Sequence, residues 1–309
     1  MKNCVFRASA VGCAFVLSSL VAAPAAQAAT TPFTWASVDT SSLPSGVTGG
    51  YLVQTNTVPP SPAQEAQSLS GDWGSVSGFA SADLSTGQLK VLAAASDTPS
   101  GTHPYVNANA FFGDSFTTTT TGGQPFSWTS GTTAQFSLAL NGSITSSSKL
   151  SDMGARAFIV LALYQKGTLD PSKSLLGANL IGSPYLWTIG NAGGQLYYTD
   201  TSGNSSPVTA TGNFDTIPSS IKQTITPGGD FDWVLLLGAG GQPGPDQSFN
   251  IDLSHTVTLA YQGPIGTTTS SSSGMFTNIA SSVPEPQSWA LMLLGLAATV
   301  SMARRRPSY

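Results

Sequence analysis

Charge is what this sequence has least of. Asp, Glu, Lys and Arg together make up 8% of the 309 residues, against about a quarter in ordinary soluble proteins. Gly, Ser, Thr, Asn and Pro stand in their place, so the surface is one of hydroxyls and turns. The formal net charge is −4, but five of the basic residues (Lys2, Arg7, Arg304, Arg305, Arg306) and one acidic residue (Glu285) lie near the ends. The middle of the chain therefore carries −8. With no basic cluster there, a nucleic acid is excluded as a partner. The two cysteines, Cys4 and Cys13, both lie close to the N-terminus. A body without cysteine has neither disulfides nor thiolate metal ligands. The two histidines, His103 and His255, come with no HExxH spacing, which speaks against zinc. No GxSxG elbow marks a hydrolase.

The two ends are organised differently from the middle. Lys2 and Arg7 precede an apolar stretch, Ala8 to Leu20, and Ala26-Gln27-Ala28 is a small-x-small site. This is the order of a secretory signal peptide over residues 1–28, cleaved after Ala28. At the other end, Trp289 to Ala303 is mostly apolar. A helix of that length spans about 22 Å, short of a bilayer core of about 30 Å. Trp289 can sit at one interface while Arg304, Arg305 and Arg306 reach the other and stay cytoplasmic. The two ends agree on one topology, with the body exported and the basic tail inside.

Between body and apolar segment stands Val283-Pro284-Glu285-Pro286, followed by Ser288-Trp289, Leu291-Met292-Leu293, Gly295-Leu296 and the arginines. This order of short motif, apolar helix and basic tail resembles the PEP-CTERM sorting signal. The resemblance implies a substrate of exosortase, a membrane transpeptidase-like protease that recognises the Pro284-Glu285-Pro286 region. It also implies a transient inner-membrane anchor and a destination in exopolysaccharide. The motif itself fits presentation to a protease: Pro284 and Pro286 fix φ, lack N–H groups and disfavour helix at the residue before each.

The body, from Ala29 to Gly263, reads as all-β. Phe249, Ile251, Leu253, His255, Val257, Leu259 and Tyr261 alternate with mostly polar residues, the period of a half-buried strand, with a possible break near His255. Phe136, Leu138 and Leu140 repeat the pattern before Asn141-Gly142, a turn signal. Arg156–Tyr164 and Trp233–Leu237 are apolar runs that read as central strands, though a short buried helix would look the same. Tyr51–Thr55, Gln88–Ala93, Tyr185–Ile189 and Gln195–Thr199 complete the set. One helix is expected from Ser61 to Gly71, with Ser61 as cap, Pro62 in the first position and Gln64 three residues after the cap. Short strands and Gly-rich turns predict a single β-sandwich of jelly-roll type. A break near Asn141–Met153 divides two sheets or two smaller domains. Residues 264–282 read as a linker, because seven consecutive Ser/Thr lie between Gly266 and Gly274.

Candidate sites in the body are weak against their ordinary readings. Asp230 and Asp232 share a strand face and could start a calcium site or an acid–base pair, or simply cap turns. Asp200, Asp246 and Asp252 suit turns or exposed faces, and Glu65 is the single glutamate of the body. Of Trp35, Trp73, Trp128, Trp187 and Trp233, the first candidate for stacking on sugars is Trp128, which with Phe126 shares one side of a short expected strand; core filling is the alternative for all five. Thr117–Thr121 is a short hydroxyl run rather than a repeated ladder. The expectation is a non-catalytic surface or matrix protein, without cofactor or metal, sorted by exosortase into an exopolysaccharide layer or biofilm. The alternatives are a carbohydrate-binding module and a secreted glycan-acting enzyme.

Overall fold

The period-two runs pair into two antiparallel sheets. A computed structural model describes residues 32–276, apart from 42, 44–46, 57–60, 100–102, 149, 170–178, 193–194, 200–204 and 208–220. The expected signal peptide, its expected cleavage site at Ala28 and the expected helix over 288–303 lie outside the described residues. The strands are β1 (Phe33–Asp39), β2 (Tyr51–Asn56), β3 (Ala63–Gly71), β4 (Gly74–Asp83), β5 (Gln88–Asp97), β6 (Val106–Thr120), β7 (Ala134–Ser146), β8 (Arg156–Gln165), β9 (Tyr185–Ala192), β10 (Gln195–Thr199), β11 (Ser205–Pro207), β12 (Ile221–Ile225), β13 (Phe231–Gly241), β14 (Ser248–Gln262) and β15 (Thr267–Ser271). Among the described residues there is no α-helix, only a 3₁₀ turn at Leu150–Met153.

The first sheet runs β11-β10-β9-β8-β13-β6-β1-β2, with β15 also on β6; the second runs β12-β7-β14-β5-β4-β3. One core lies between them, built from both: Phe112, Phe116, Trp233 and Leu235 from the first sheet, Val76, Val91, Phe136 and Ile251 from the second. β13 is buried along almost its whole length, because the first sheet is covered on its other face too. There Phe33, Trp35, Phe111, Phe158, Tyr164 and Leu236 pack with Leu169 of the loop after β8. Apolar runs are what a strand with two covered faces requires. β4 and β5 belong to the second sheet and alternate strictly between buried and half-buried, as strands with one open face do. The segment between β7 and β8, where the sequence suggested a break, carries the chain from the second sheet to the first. β14 crosses back and inserts between β5 and β7.

Two local signals gave way to pairing. The expected helix from Ser61 to Gly71 is the strand β3, in unbroken register with β4 from Ala63↔Ala82 to Gly71↔Gly74. Gln64, Ala66, Ser68 and Ser70 point outward in alternation. A helix cap is worth about 1 kcal/mol, and here Ser61 serves the sheet instead, its carbonyl accepting the Thr34 hydroxyl at 2.6 Å. Asn141-Gly142 does not turn either; β7 runs straight through it. Gly142 is needed for close approach, since a Cβ there would sit 2.3 Å from the Asp252 carbonyl oxygen.

β14 remains one strand, with an irregularity where the break was expected. Asp252 faces Ser143 and Thr256 faces Asn141, so four steps along β14 match two along β7. The same shift occurs against β5, between Leu253 and Val257. Two extra residues are an even number, so Leu253, Leu259 and Tyr261 all stay buried. An odd insertion would have turned the second half of the strand inside out.

Candidate functional site

The sorting residues Pro284, Glu285 and Pro286, and Arg304, Arg305 and Arg306, lie outside the described residues. What the structure describes is the chain leading to them. The Ser/Thr run expected to be a linker is instead part of the fold. Thr267–Ser271 forms β15 and pairs with Phe116–Thr120 of β6, register Thr267↔Thr120 to Ser271↔Phe116. The two hydroxyl runs of the sequence are thus each other's partners. Thr267 and Thr269 are buried, as is Thr118 opposite Thr269. Past the strand, Ser272 N donates to the Ser115 carbonyl at 3.0 Å. Ser273 donates to Asp114 from its N (3.1 Å) and its hydroxyl (2.5 Å). Phe276 ends the segment in the aromatic core, its ring 5.8 Å from Phe116 and 5.7 Å from Trp233, edge to face. Thr and Ser have the β-propensity and the short hydroxyl for such a ladder, and a solvated linker was the reading only while no partner strand was known.

Asp114 is the centre of this docking. It is fully buried, and burial pushes its carboxyl pKa up, against the lowering effect of the bonds from Ser273 and Ser115. Asp230 and Asp232, the carboxylate pair of the sequence, hold neighbouring loops in place. Asp232 is fully buried. Its Oδ2 accepts Gly167 N at 2.8 Å and Leu169 N at 3.2 Å, and its Oδ1 accepts the Ser115 hydroxyl at 2.5 Å. Asp230 accepts Thr118 N at 3.0 Å and pairs with Lys166 at 3.3 Å; Lys166 also donates to Thr117. The pair does converge on one region, as the i, i+2 spacing implied, but the loop after β8 and strand β6 fill it. Asp252 accepts from Ser254, and Asp246 sits in a turn at φ 56°. Glu65 lies on β3. Asp200 lies outside the described residues. Among the described residues no three His, Cys, Asp or Glu side chains gather for a metal ion.

One contact escaped the sequence reading. His103 Nδ1 lies 3.0 Å from Asp97 Oδ2, with the Asp97 side chain fully buried and the imidazole 44% exposed. His103 holds φ at 45°, an unusual value for a residue with a side chain, and its carbonyl accepts Gln242 Nε2 at 2.7 Å. Six residues separate the partners, too far for a turn signal and too close for a strand pattern. His255 falls in the irregularity of β14, and its side chain lies outside the described residues.

Four of the five body tryptophans are core: Trp35, Trp73, Trp187 and Trp233 are at most 7% exposed. Phe126 and Trp128 do not form a strand. They sit in the connection between β6 and β7, rings 5.3 Å apart and edge to face, and Trp128 packs against the core. Phe126 instead lines an open cleft of about 410 Å³ with Gln135, Thr224, Gln262, Pro264 and Ile265. Its wall carries amides and hydroxyls and no charge. Ile265, at the turn leading into β15, is 82% exposed.

Comparison with known proteins bears on the tail. No curated protein and no solved structure matches the chain. Residues 282–306 match the PEP-CTERM protein-sorting motif, a span that contains Pro284, Glu285, Pro286 and all three arginines. That motif signals export, a membrane-anchored sorting step and processing by exosortase. The chain thus carries a PEP-CTERM sorting motif in its C-terminal segment, following a two-sheet body.

Proposed function

We propose that this is a non-catalytic protein of the cell surface or extracellular matrix, cut by exosortase at Pro284-Glu285-Pro286 and delivered into exopolysaccharide. The observation that carries the reading is the sorting motif at residues 282–306. The body supports it in a negative way. Two of its fully buried carboxylates, Asp114 and Asp232, are occupied by backbone N–H and hydroxyl donors of the fold. A group already satisfied internally is poorly placed to exchange protons with a substrate. In this reading the signal peptide exports the body, and the 288–303 helix holds it briefly in the inner membrane. The arginines remain on the cytoplasmic side, and cleavage ends the anchoring.

A second reading, glycan binding by the body, draws on the uncharged cleft at Phe126. An aromatic face beside amides and hydroxyls suits a neutral sugar, which is apolar on its ring face and polar at its edge. The burial of four tryptophans leaves this as the one aromatic-lined place on which we base it.

The test is the intact mass of the protein purified from its native host, with C-terminal peptide mapping. The expected product begins at Ala29, after cleavage at Ala28, and ends near Pro284–Pro286. Mature surface-located protein that keeps Tyr309 would overturn the sorting proposal and make the tail a permanent anchor.

A further inference from the structure

We infer that the docked last strand sets the reach of the sorting motif, and that Asp114, Ser273 and Phe276 are positioning residues for its processing. The inference rests on the reading above, in which exosortase acts at Pro284-Glu285-Pro286.

The geometry is as follows. β15 is hydrogen-bonded to the end of β6 over five residue pairs. Ser272 and Ser273 bond to Ser115 and Asp114. Phe276 N donates to the Ser271 hydroxyl at 3.0 Å, and its ring is buried against Phe116 and Trp233. The body therefore holds the chain firmly as far as Phe276. Only Thr277 to Ser282 lie between that anchor and Val283, six residues. A fully extended chain covers at most about 3.5 Å per residue, so Val283 can stand no more than roughly 25 Å from Phe276. If β15 were loose, the tether would begin at Gln262, the end of β14, and the same limit would be roughly 70 Å. Docking thus removes about two thirds of the reach. A protease embedded in the membrane has to take the motif with the folded body close above it.

The docking is also built to hold. Asp114 lies on β6, in the centre of the first sheet, and not on the tail. Its carboxylate is fully buried and takes both Ser273 donors. Losing Ser273 would leave that carboxylate with a single donor of the three named, Ser115 N, which is costly inside a core. The aromatic cluster that receives Phe276 also contains Phe136, Phe231 and Tyr261, each against Phe116. A spacer drawn at random from Ser and Thr needs none of these partners.

The experiment uses the full-length protein expressed in its native host, with processing read as loss of a tag placed after Tyr309 and confirmed by mass. Four forms are compared with wild type: a deletion of residues 277–282; a replacement of the same six by Gly and Ser; the deletion combined with Asp114→Ala and Phe276→Ala; and Pro284→Ala with Pro286→Ala. The deletion should lower the processed fraction at least tenfold, and the Gly/Ser replacement should keep it within twofold of wild type. The combined form should recover processing, because freeing β15 restores the lost length. Recovery is the outcome that a recognition role for residues 277–282 could not produce. Should the combined variant fail to fold, deletions of two and of four residues replace it; a graded loss with length is then the expected result. The inference is overturned if the full deletion is processed like wild type, or if the Gly/Ser replacement is not processed. A wild-type protein that keeps its tag, or a double proline variant processed normally, would sink the sorting proposal itself, which is a different failure.

Discussion

Replacing Asp232 by Ala should be among the most damaging single changes in this protein. The carboxylate is wholly buried and accepts three bonds, from Gly167 N, Leu169 N and the Ser115 hydroxyl. The hydroxyl can rotate to another acceptor; the two backbone N–H groups cannot. A buried donor left without a partner costs about 1–3 kcal/mol; Leu169 N is such a donor, whereas Gly167 is exposed and water can reach its N–H. That one donor, plus the lost bonds to Gly167 N and the Ser115 hydroxyl, amounts to about 2–4 kcal/mol, a large share of the roughly 5–15 kcal/mol that holds a typical domain together. Asn is a gentler change. Its carbonyl oxygen can take both N–H groups while its NH₂ donates to the Ser115 oxygen, so about 1–2 kcal/mol is expected for the loss of charge assistance. Equilibrium urea unfolding, followed by tryptophan fluorescence, measures both, since Trp233 is entirely buried and reports on the core. A shift in midpoint with an unchanged slope is the signature of lost stability. An Ala variant within 1 kcal/mol of wild type would refute the structural role of this carboxylate. It would also restore the possibility that Asp230 and Asp232 serve a ligand.

Asp114 should show itself in pH dependence. Its folded pKa is raised by burial above the ordinary 3.8, so the folded state binds the proton more tightly than the unfolded chain. Its contribution is fully present below the unfolded value and is lost as pH rises through the folded one. Asp114→Asn removes this dependence, so its Tm should gain on wild type between acid and neutral pH; parallel curves would refute the assignment. Gly238→Ala places a Cβ 2.1 Å from the Phe158 ring and 2.7 Å from Asn109 Oδ1, overpacking that should cost about 1–3 kcal/mol or more. Gly229→Ala, with nothing within 4 Å of the added Cβ, should stay within about 0.5 kcal/mol, and equal effects of the two would contradict the packing described for the first sheet.

Legibility differed by kind of signal. The strand over Gln195–Thr199 matches its expected bounds, and Arg156–Tyr164 is a two-sided central strand as its apolar run suggested. Burial on one face or on two leaves a periodic trace in the residues themselves. The Ser61–Gly71 segment was misread because its signals were local, a cap-like serine and good helix formers, while the strand β4 that overruled them follows only at Gly74. Asn141-Gly142 was misread because a glycine required for close approach is spelled the same as one required for a turn. The candidate cleft at Phe126 was half visible: the pair with Trp128 was chosen and their rings do meet, but Trp128 packs against the core and the cleft is lined by residues far apart in the chain.

What the sequence determined by itself is the tail, together with the class of the body. The tripartite order of Pro284-Glu285-Pro286, an apolar segment and Arg304-Arg305-Arg306 is contiguous, so no folding is needed to bring its parts together; period two likewise belongs to each strand alone. Tertiary structure decided what depends on distant partners. Thr117–Thr120 and Thr267–Ser271 are about 150 residues apart, and neither run carries a sign that it will pair with the other. Asp114 and Ser273 are 159 residues apart. Hydroxyl runs have no hydrophobic period by which to announce a strand, and a buried carboxylate looks like an exposed one until its donors arrive. For that reason a stretch that reads as solvated linker became the last strand of the sheet.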